Sequence, residues 1–184
     1  LANQDLCAKY SHPLWLINSI KRSWPNHWQD ILTANNDKPP FTIRINKGKV
    51  SVDKYKKLLE ESDIEFTESS TLPYALVINS KVNVAKLPGF TAGLCYVQDM
   101  AAQLSTSLLD LDNDYKVLDA CAAPGGKTSH ILDIWPNIDL LAVDNNKGRM
   151  QQIHSNLERQ NLVAKLLLQD VTKANWWDKE PFDR

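Results

Sequence analysis

KVLDACAAPGGKTSHILDIWP, Lys116 to Pro136, reads as a short buried strand, a glycine-bearing loop and a helix, in that order. Val117 and Leu118 are the apolar strand, and Asp119 stands at its carboxyl end. Gly125 and Gly126 can adopt backbone angles, and permit a close approach, that other residues cannot. From Lys127 to Ile134 an apolar pattern resumes, with Ile131, Leu132 and Ile134 available for one helix face. A loop at the carboxyl end of a strand and the amino end of a helix is where open α/β sheets bind ligands. Free N–H groups and the helix dipole there favour a polar or anionic ligand.

Downstream the pattern repeats. Asp139 to Val143 is an apolar strand ending in Asp144, Asn145 to Asn161 a helix with Met150, Ile153 and Leu157 inward, and Lys165 to Leu168 a third strand ending near Asp170. Strand, helix, strand, helix, strand implies right-handed crossovers and a parallel sheet. Upstream of the loop, Leu94 to Gln98 reads as a strand and Asp99 as the cap of a helix over Met100 to Leu109.

The earlier residues have a different rhythm. Ser11-His12-Pro13 offers capping side chains ahead of a helix carrying Leu14, Trp15, Ile17 and Ile20, and Trp28 to Ala34 makes a second short helix. Phe41 to Asn46, FTIRIN, alternates apolar and polar residues as a half-buried strand does. Ser51 caps a helix over Val52 to Glu61, and strands are expected at Ile64 to Phe66, Tyr74 to Ile78 and Lys81 to Leu87. The expected organisation is therefore α/β: a helical lead-in over residues 1–38, a small α+β (RNA-recognition-like) subdomain over 39–90, and the first half of a Rossmann-like domain over 91–184. Phe182-Asp183-Arg184 looks like the approach to a further strand, as if the chain were a fragment, and the first strand of the parallel sheet is expected to be an open edge.

Composition narrows the function classes. With 43% hydrophobic and 23% charged residues the chain is a globular protein and not a disordered one, and its formal net charge of −1 offers no global attraction for nucleic acid. Lys47, Lys49, Lys54, Lys56 and Lys57 cluster in sequence, but Glu60, Glu61 and Asp63 dilute their field, and a solvated helix face is the simpler reading. No apolar run approaches the roughly 18 residues of a membrane span. Three cysteines, Cys7, Cys95 and Cys121, lack metal-ligand spacing, and a reduced, cytoplasmic setting follows. His12 and His27 have no partner ligands at metal-site spacing, so no metal is expected.

Three ligands compete for the loop. A triphosphate loop, G-x-x-x-x-G-K-[ST], fits at Gly126-Lys127-Thr128, but its first glycine falls on Cys121 and Pro124 removes an N–H donor. The G-x-G-x-x-G of a dinucleotide site is missing. Asp144, at the end of the second strand, can accept both hydroxyls of a ribose and would repel a 2′-phosphate. Asp170, at the end of the third, can accept from an adenine amino group. An adenosine with a free ribose and no pyrophosphate fits best, and S-adenosyl-L-methionine is such a ligand. Strand-end capping is the alternative role of both acids.

LDACAAPGGKTSHIL (Leu118 to Leu132), followed by Asp144 and Asp170 and preceded by VQDMAAQL (Val97 to Leu104), resembles the RNA cytosine-5 methyltransferases of the Nol1/Nop2/Sun family. CAKYSHPLWLINSI (Cys7 to Ile20) and ANNDKPPFTIRIN (Ala34 to Asn46) resemble its bacterial Sun/Fmu branch, which methylates small-subunit (16S) ribosomal RNA. The resemblance covers nearly the whole chain but less than half of a family member. It implies that Cys121, Ala122, Ala123, Pro124, Gly125, Gly126 and Lys127 line an S-adenosyl-L-methionine pocket, that Asp144 holds the ribose and that Asp170 lies at the adenine. The helix after Gln98-Asp99 would flank the same pocket. The family's chemistry implies a cysteine thiolate adding to C6 of the target cytosine, so that C5 takes the methyl group, and a second cysteine assisting elimination. Both cysteines belong to motifs beyond Arg184, so none of the three cysteines here is a nucleophile and these residues alone are expected not to methylate. The remaining alternatives are a non-enzymatic RNA-binding module with a vestigial cofactor loop, and a P-loop-type nucleotide binder.

Overall fold

The structure, a computed structural model, describes residues 5–184. They divide into two compact units, one ending at Pro39 and one spanning Pro40–Arg184.

The first unit is three short helices, α1 (Leu6–Tyr10), α2 (Leu14–Ser23) and α3 (Trp28–Ala34). Asp5 caps α1, its side chain accepting from the Cys7 N–H. Neither Ser11 nor His12 caps α2, contrary to expectation: Pro13 holds the cap position with no side-chain bond, and the His12 ring meets the Tyr10 carbonyl. Apolar spacing brings Ile17 and Leu32 together with Tyr10, whose ring meets Trp28 edge-on at 5.4 Å.

The second unit contains two sheets. Strand β1 (Phe41–Ile45) leads to α4 (Val52–Glu61), whose Ser51 cap accepts from the Lys54 N–H, and then to β2 (Phe66–Glu68) and β3 (Ala75–Ile78). Residues 81–87 do not form the expected strand; a 3-10 turn at Val84–Lys86, capped by Asn83, stands there. The fourth strand is β4 (Cys95–Val97), which pairs antiparallel with β1 and gives the order β2-β3-β1-β4. The first sheet thus takes in residues past the boundary at residue 90. Ile43, Ile45, Tyr55, Leu59 and Leu76 fill its core against α4.

After β4, Asp99 caps α5 (Met100–Leu108). Then come β5 (Lys116–Asp119), α6 (Gly126–Ile134), β6 (Asp139–Asp144), α7 (Lys147–Gln160) and β7 (Lys165–Leu168). Both strand pairs are parallel and the order is β5-β6-β7. Val117, Leu140 and Ala142 of the sheet pack with Ile131 and Leu132 of α6 and with Ile153 and Leu157 of α7. The outer edge of β5 is not left open as expected. The Asp183 N–H donates to the Lys116 carbonyl (2.8 Å) and the Leu118 N–H to the Arg184 carbonyl (2.9 Å).

β1 shows how the two sheets meet. Its alternation predicts polar residues in solvent, yet Thr42 is 3% exposed and Arg44 1%. Arg44 reaches from the first sheet to α6 and α7, so the polar face of β1 is an internal surface.

Candidate functional site

The loop between β5 and α6 begins where the sheet ends. The Asp119 Oδ2 accepts from the Thr128 hydroxyl (2.7 Å), tying the strand end to the first turn of α6. The Ala122 N–H donates to the Val143 carbonyl, which lays the loop against the end of β6. At Gly125 the backbone takes φ +94°, and a Cβ would lie 3.3 Å from the Ile153 side chain. A glycine there satisfies both the left-handed geometry and the packing against α7. Gly125 is the cap residue of α6 and no side chain caps this helix, which leaves the N–H of exposed Lys127 in its first turn without a side-chain partner.

Asp144 closes the loop from the next strand. Its Oδ2 accepts from the Ala123 N–H (3.2 Å) and its Oδ1 from the Asn146 N–H (3.0 Å), at 5% exposure. The carboxylate therefore holds the loop, and each oxygen keeps a lone pair for another donor. Asp170 lies just beyond β7, and its Oδ1 accepts from both the hydroxyl and the N–H of Thr172. Those two bonds, the hydroxyl one first, hold its pKa below the usual carboxylate value, so it is ionised at neutral pH.

Two clefts meet at Cys121. One, of about 200 Å³, lies between the loop and β4, bounded by Tyr96, Gln98, Asp119, Cys121, Pro124 and Lys127. The other, of about 300 Å³, runs past Asp144, Arg149, Asp170 and Thr172. Together they reach the size of small-molecule sites, roughly 300–1,000 Å³. Of the residues expected here, Cys121, Pro124 and Lys127 are exposed in the first cleft, where buried Ala122 and Ala123 and half-buried Gly126 also form the wall. Gly125 sits behind that wall and shapes the loop. Asp144 and Asp170 share the second cleft, as their strand-end positions require.

Three contributors were not singled out in the sequence. Tyr96 donates its hydroxyl to the Pro124 carbonyl (3.3 Å). Arg149 lines the second cleft, with Nη2 3.5 Å from the Ala123 carbonyl. Its signal was its place three residues after Asn146, the α7 cap, since side chains in a first turn lean back over the loop before it. Arg44 lies beneath the loop and gave no signal, because its neighbours come from distant parts of the chain.

Cys95 is fully buried and receives the Tyr55 hydroxyl at 3.0 Å, and burial pushes its thiol pKa up; it is a core residue. Two of the five clustered lysines have polar partners for their ammonium groups. Lys56 pairs with Asp53 and Glu68, while Lys49 donates to the carbonyls of Ala92 and Arg159. Among the described residues, no group of His, Cys, Asp and Glu is placed to hold a metal ion, and no helix is long and apolar enough to cross a membrane.

A ferredoxin-like domain of RsmF/B-type methyltransferases matches residues 12–85, and the 16S rRNA methyltransferase RsmB/F domain matches residues 106–184. A probable ribosomal RNA small subunit methyltransferase B of Coxiella burnetii is 45% identical over 182 residues, 96% of this chain and 42% of that protein. Ribosomal RNA small subunit methyltransferase B of Pseudomonas syringae pv. tomato is 40% identical over 182 residues, 98% of this chain and 41% of that protein. The chain spans about two fifths of the length of these relatives. The crystal structure of PH0851 superposes with a TM-score of 0.84 at 30% identity, covering 94% of this chain and 40% of that one. With both domains matched in chain order, in agreement with the resemblance carried by the glycine loop, the chain belongs to the RsmB/F family of 16S rRNA methyltransferases.

Proposed function

We propose that the two clefts around Cys121 hold S-adenosyl-L-methionine, and that the protein methylates C5 of a cytosine in small-subunit ribosomal RNA. The observation that carries this reading is the joint placement of an uncapped helix N-terminus, Asp144 and Asp170 around one loop. Asp144 accepts the ribose hydroxyls on the lone pairs its loop contacts leave free, and its charge disfavours a 2′-phosphate. Asp170 faces the adenine amino group. The wall from Cys121 to Lys127 carries the methionine portion, near the first-turn N–H groups of α6 that suit its carboxylate. When bound, the cofactor supplies the methyl group. The chain's own residues bind and orient it, and none of its three cysteines is assigned as nucleophile. Ribosomal RNA is the macromolecular partner, in keeping with the names of the relatives, and a cytoplasmic location follows from that substrate.

Calorimetry with S-adenosylhomocysteine and with ATP tests the reading. Saturable binding of S-adenosylhomocysteine without ATP binding is expected. Binding of ATP but not of S-adenosylhomocysteine overturns it in favour of a nucleotide-binding loop.

A further inference from the structure

Arg44 has one of the largest fully buried side chains in the described structure, and no carboxylate touches it. Its Nη1 donates to the Gln98 Oε1 (2.5 Å) and the Gly126 carbonyl (3.0 Å). Its Nη2 donates to the Ser129 hydroxyl (3.1 Å) and the Gln160 Oε1 (3.4 Å). These acceptors belong to the segment after β4, the first turn of α6 and the end of α7. The guanidinium also lies 5.5 Å over the Tyr96 ring. Burial draws its pKa down to about 10, so it is still cationic at neutral pH.

A buried charge among neutral acceptors is an expensive way to join two sheets, since an apolar side chain of similar volume does so without desolvation. What an apolar side chain cannot do is grip a carbonyl. Because the peptide is planar, fixing the Gly126 carbonyl also fixes the Lys127 N–H on its opposite side, at the open end of α6. The other end of the helix is held by the same part of the chain. Asp133 accepts from the N–H groups of Lys47 (3.3 Å) and Gly48 (3.1 Å), in the turn that follows β1. One strand and its turn thus clasp α6 at both ends. Arg44 itself is not part of either cleft wall.

We propose that Arg44 is a positioning residue: from the first sheet it sets the Gly126 peptide and the first turn of α6, and so tunes the cleft's affinity for S-adenosyl-L-methionine. This rests on the cofactor assignment above for its consequence, though not for its geometry.

The test compares the unaltered chain with Arg44→Met and Arg44→Lys, below the melting temperature of each, by residue-resolved amide exchange without ligand and by calorimetry with S-adenosylhomocysteine. In Arg44→Met the amides of residues 126–130 should exchange at least tenfold faster while those of β6 hold their rates, and the Kd should rise at least tenfold. Arg44→Lys, which keeps the charge and one donor point, should show the same pattern at smaller size, and decides the matter alone if Arg44→Met does not fold. Uniform acceleration of all amides in the second unit, or an unchanged loop and Kd with lowered stability, would reduce Arg44 to mere packing and overturn the proposal. If the unaltered chain does not bind S-adenosylhomocysteine, the cofactor reading fails, and the exchange pattern still decides whether Arg44 positions the loop.

Discussion

At the scale of single residues, Asp144 does two jobs with one carboxylate. It receives two backbone N–H groups of the surrounding loops, and it faces the second cleft. Capping and the proposed ligand contact are therefore compatible at this position. Asp144→Asn keeps an oxygen acceptor but loses the charge and half of the acceptor capacity. It should weaken S-adenosylhomocysteine by about tenfold, on the order of 1.4 kcal/mol, and also lower the melting temperature. A melting temperature that falls with unchanged calorimetric affinity would leave Asp144 as a cap alone. Its partner Asp170 was legible for the same reason, since a polar residue at the carboxyl end of a parallel strand has the crevice as its natural destination.

At the scale of elements, the sequence patterns located most strands and helices, because each is a local rhythm of apolar residues. The exceptions are instructive. Residues 81–87 carry alternating valines, but Asn83 accepts from the Ala85 N–H and winds the chain into a 3-10 turn. The entry to β4 depends on Gly93, which has φ +72°, and a Cβ there would fall 2.2 Å from the Arg159 carbonyl oxygen near the end of α7. Gly93→Ala should accordingly destabilise the second unit by more than about 1 kcal/mol, from backbone strain and from the clash together. Chemical denaturation measures it, and a change below a few tenths would show that the approach of loop to helix is not tight. Nothing local in the sequence announces that approach.

At the scale of the molecule, the interface between the sheets is polar and holds titratable groups. His130 of α6 is 6% exposed and pairs with the Thr106 hydroxyl of α5 at 2.9 Å. Burial, with smaller contributions from Arg44 and Lys47, lowers its pKa from 6.5 to about 3. The unfolded chain takes up that proton below about pH 6.5 and the folded chain does not until about pH 3, so below pH 6.5 the unfolded state binds more protons. The stability His130 contributes is thus full above pH 6.5 and is lost as pH falls toward 3, with a limiting slope of about 1.4 kcal/mol per pH unit. Denaturation series between pH 7 and 4 should show this fall, and His130→Gln should flatten it; an unaltered slope in the variant would assign the dependence to other groups.

What the sequence determined by itself was local: the strand–loop–helix unit around Gly125 and Gly126, the acids at the ends of β6 and β7, and the parallel βαβ order. Each follows from residue spacing along a few turns or one strand, where physical cause and sequence distance coincide. The tertiary structure alone decided which sheet owns β4, that the polar face of β1 is internal, and that Arg44 reaches Gly126 across 82 positions of chain. Alternation in a strand reports that its two faces differ, and it cannot report what covers the polar one. That depends on which distant segment packs there, and a buried cation needs acceptors that only the assembled fold brings within reach.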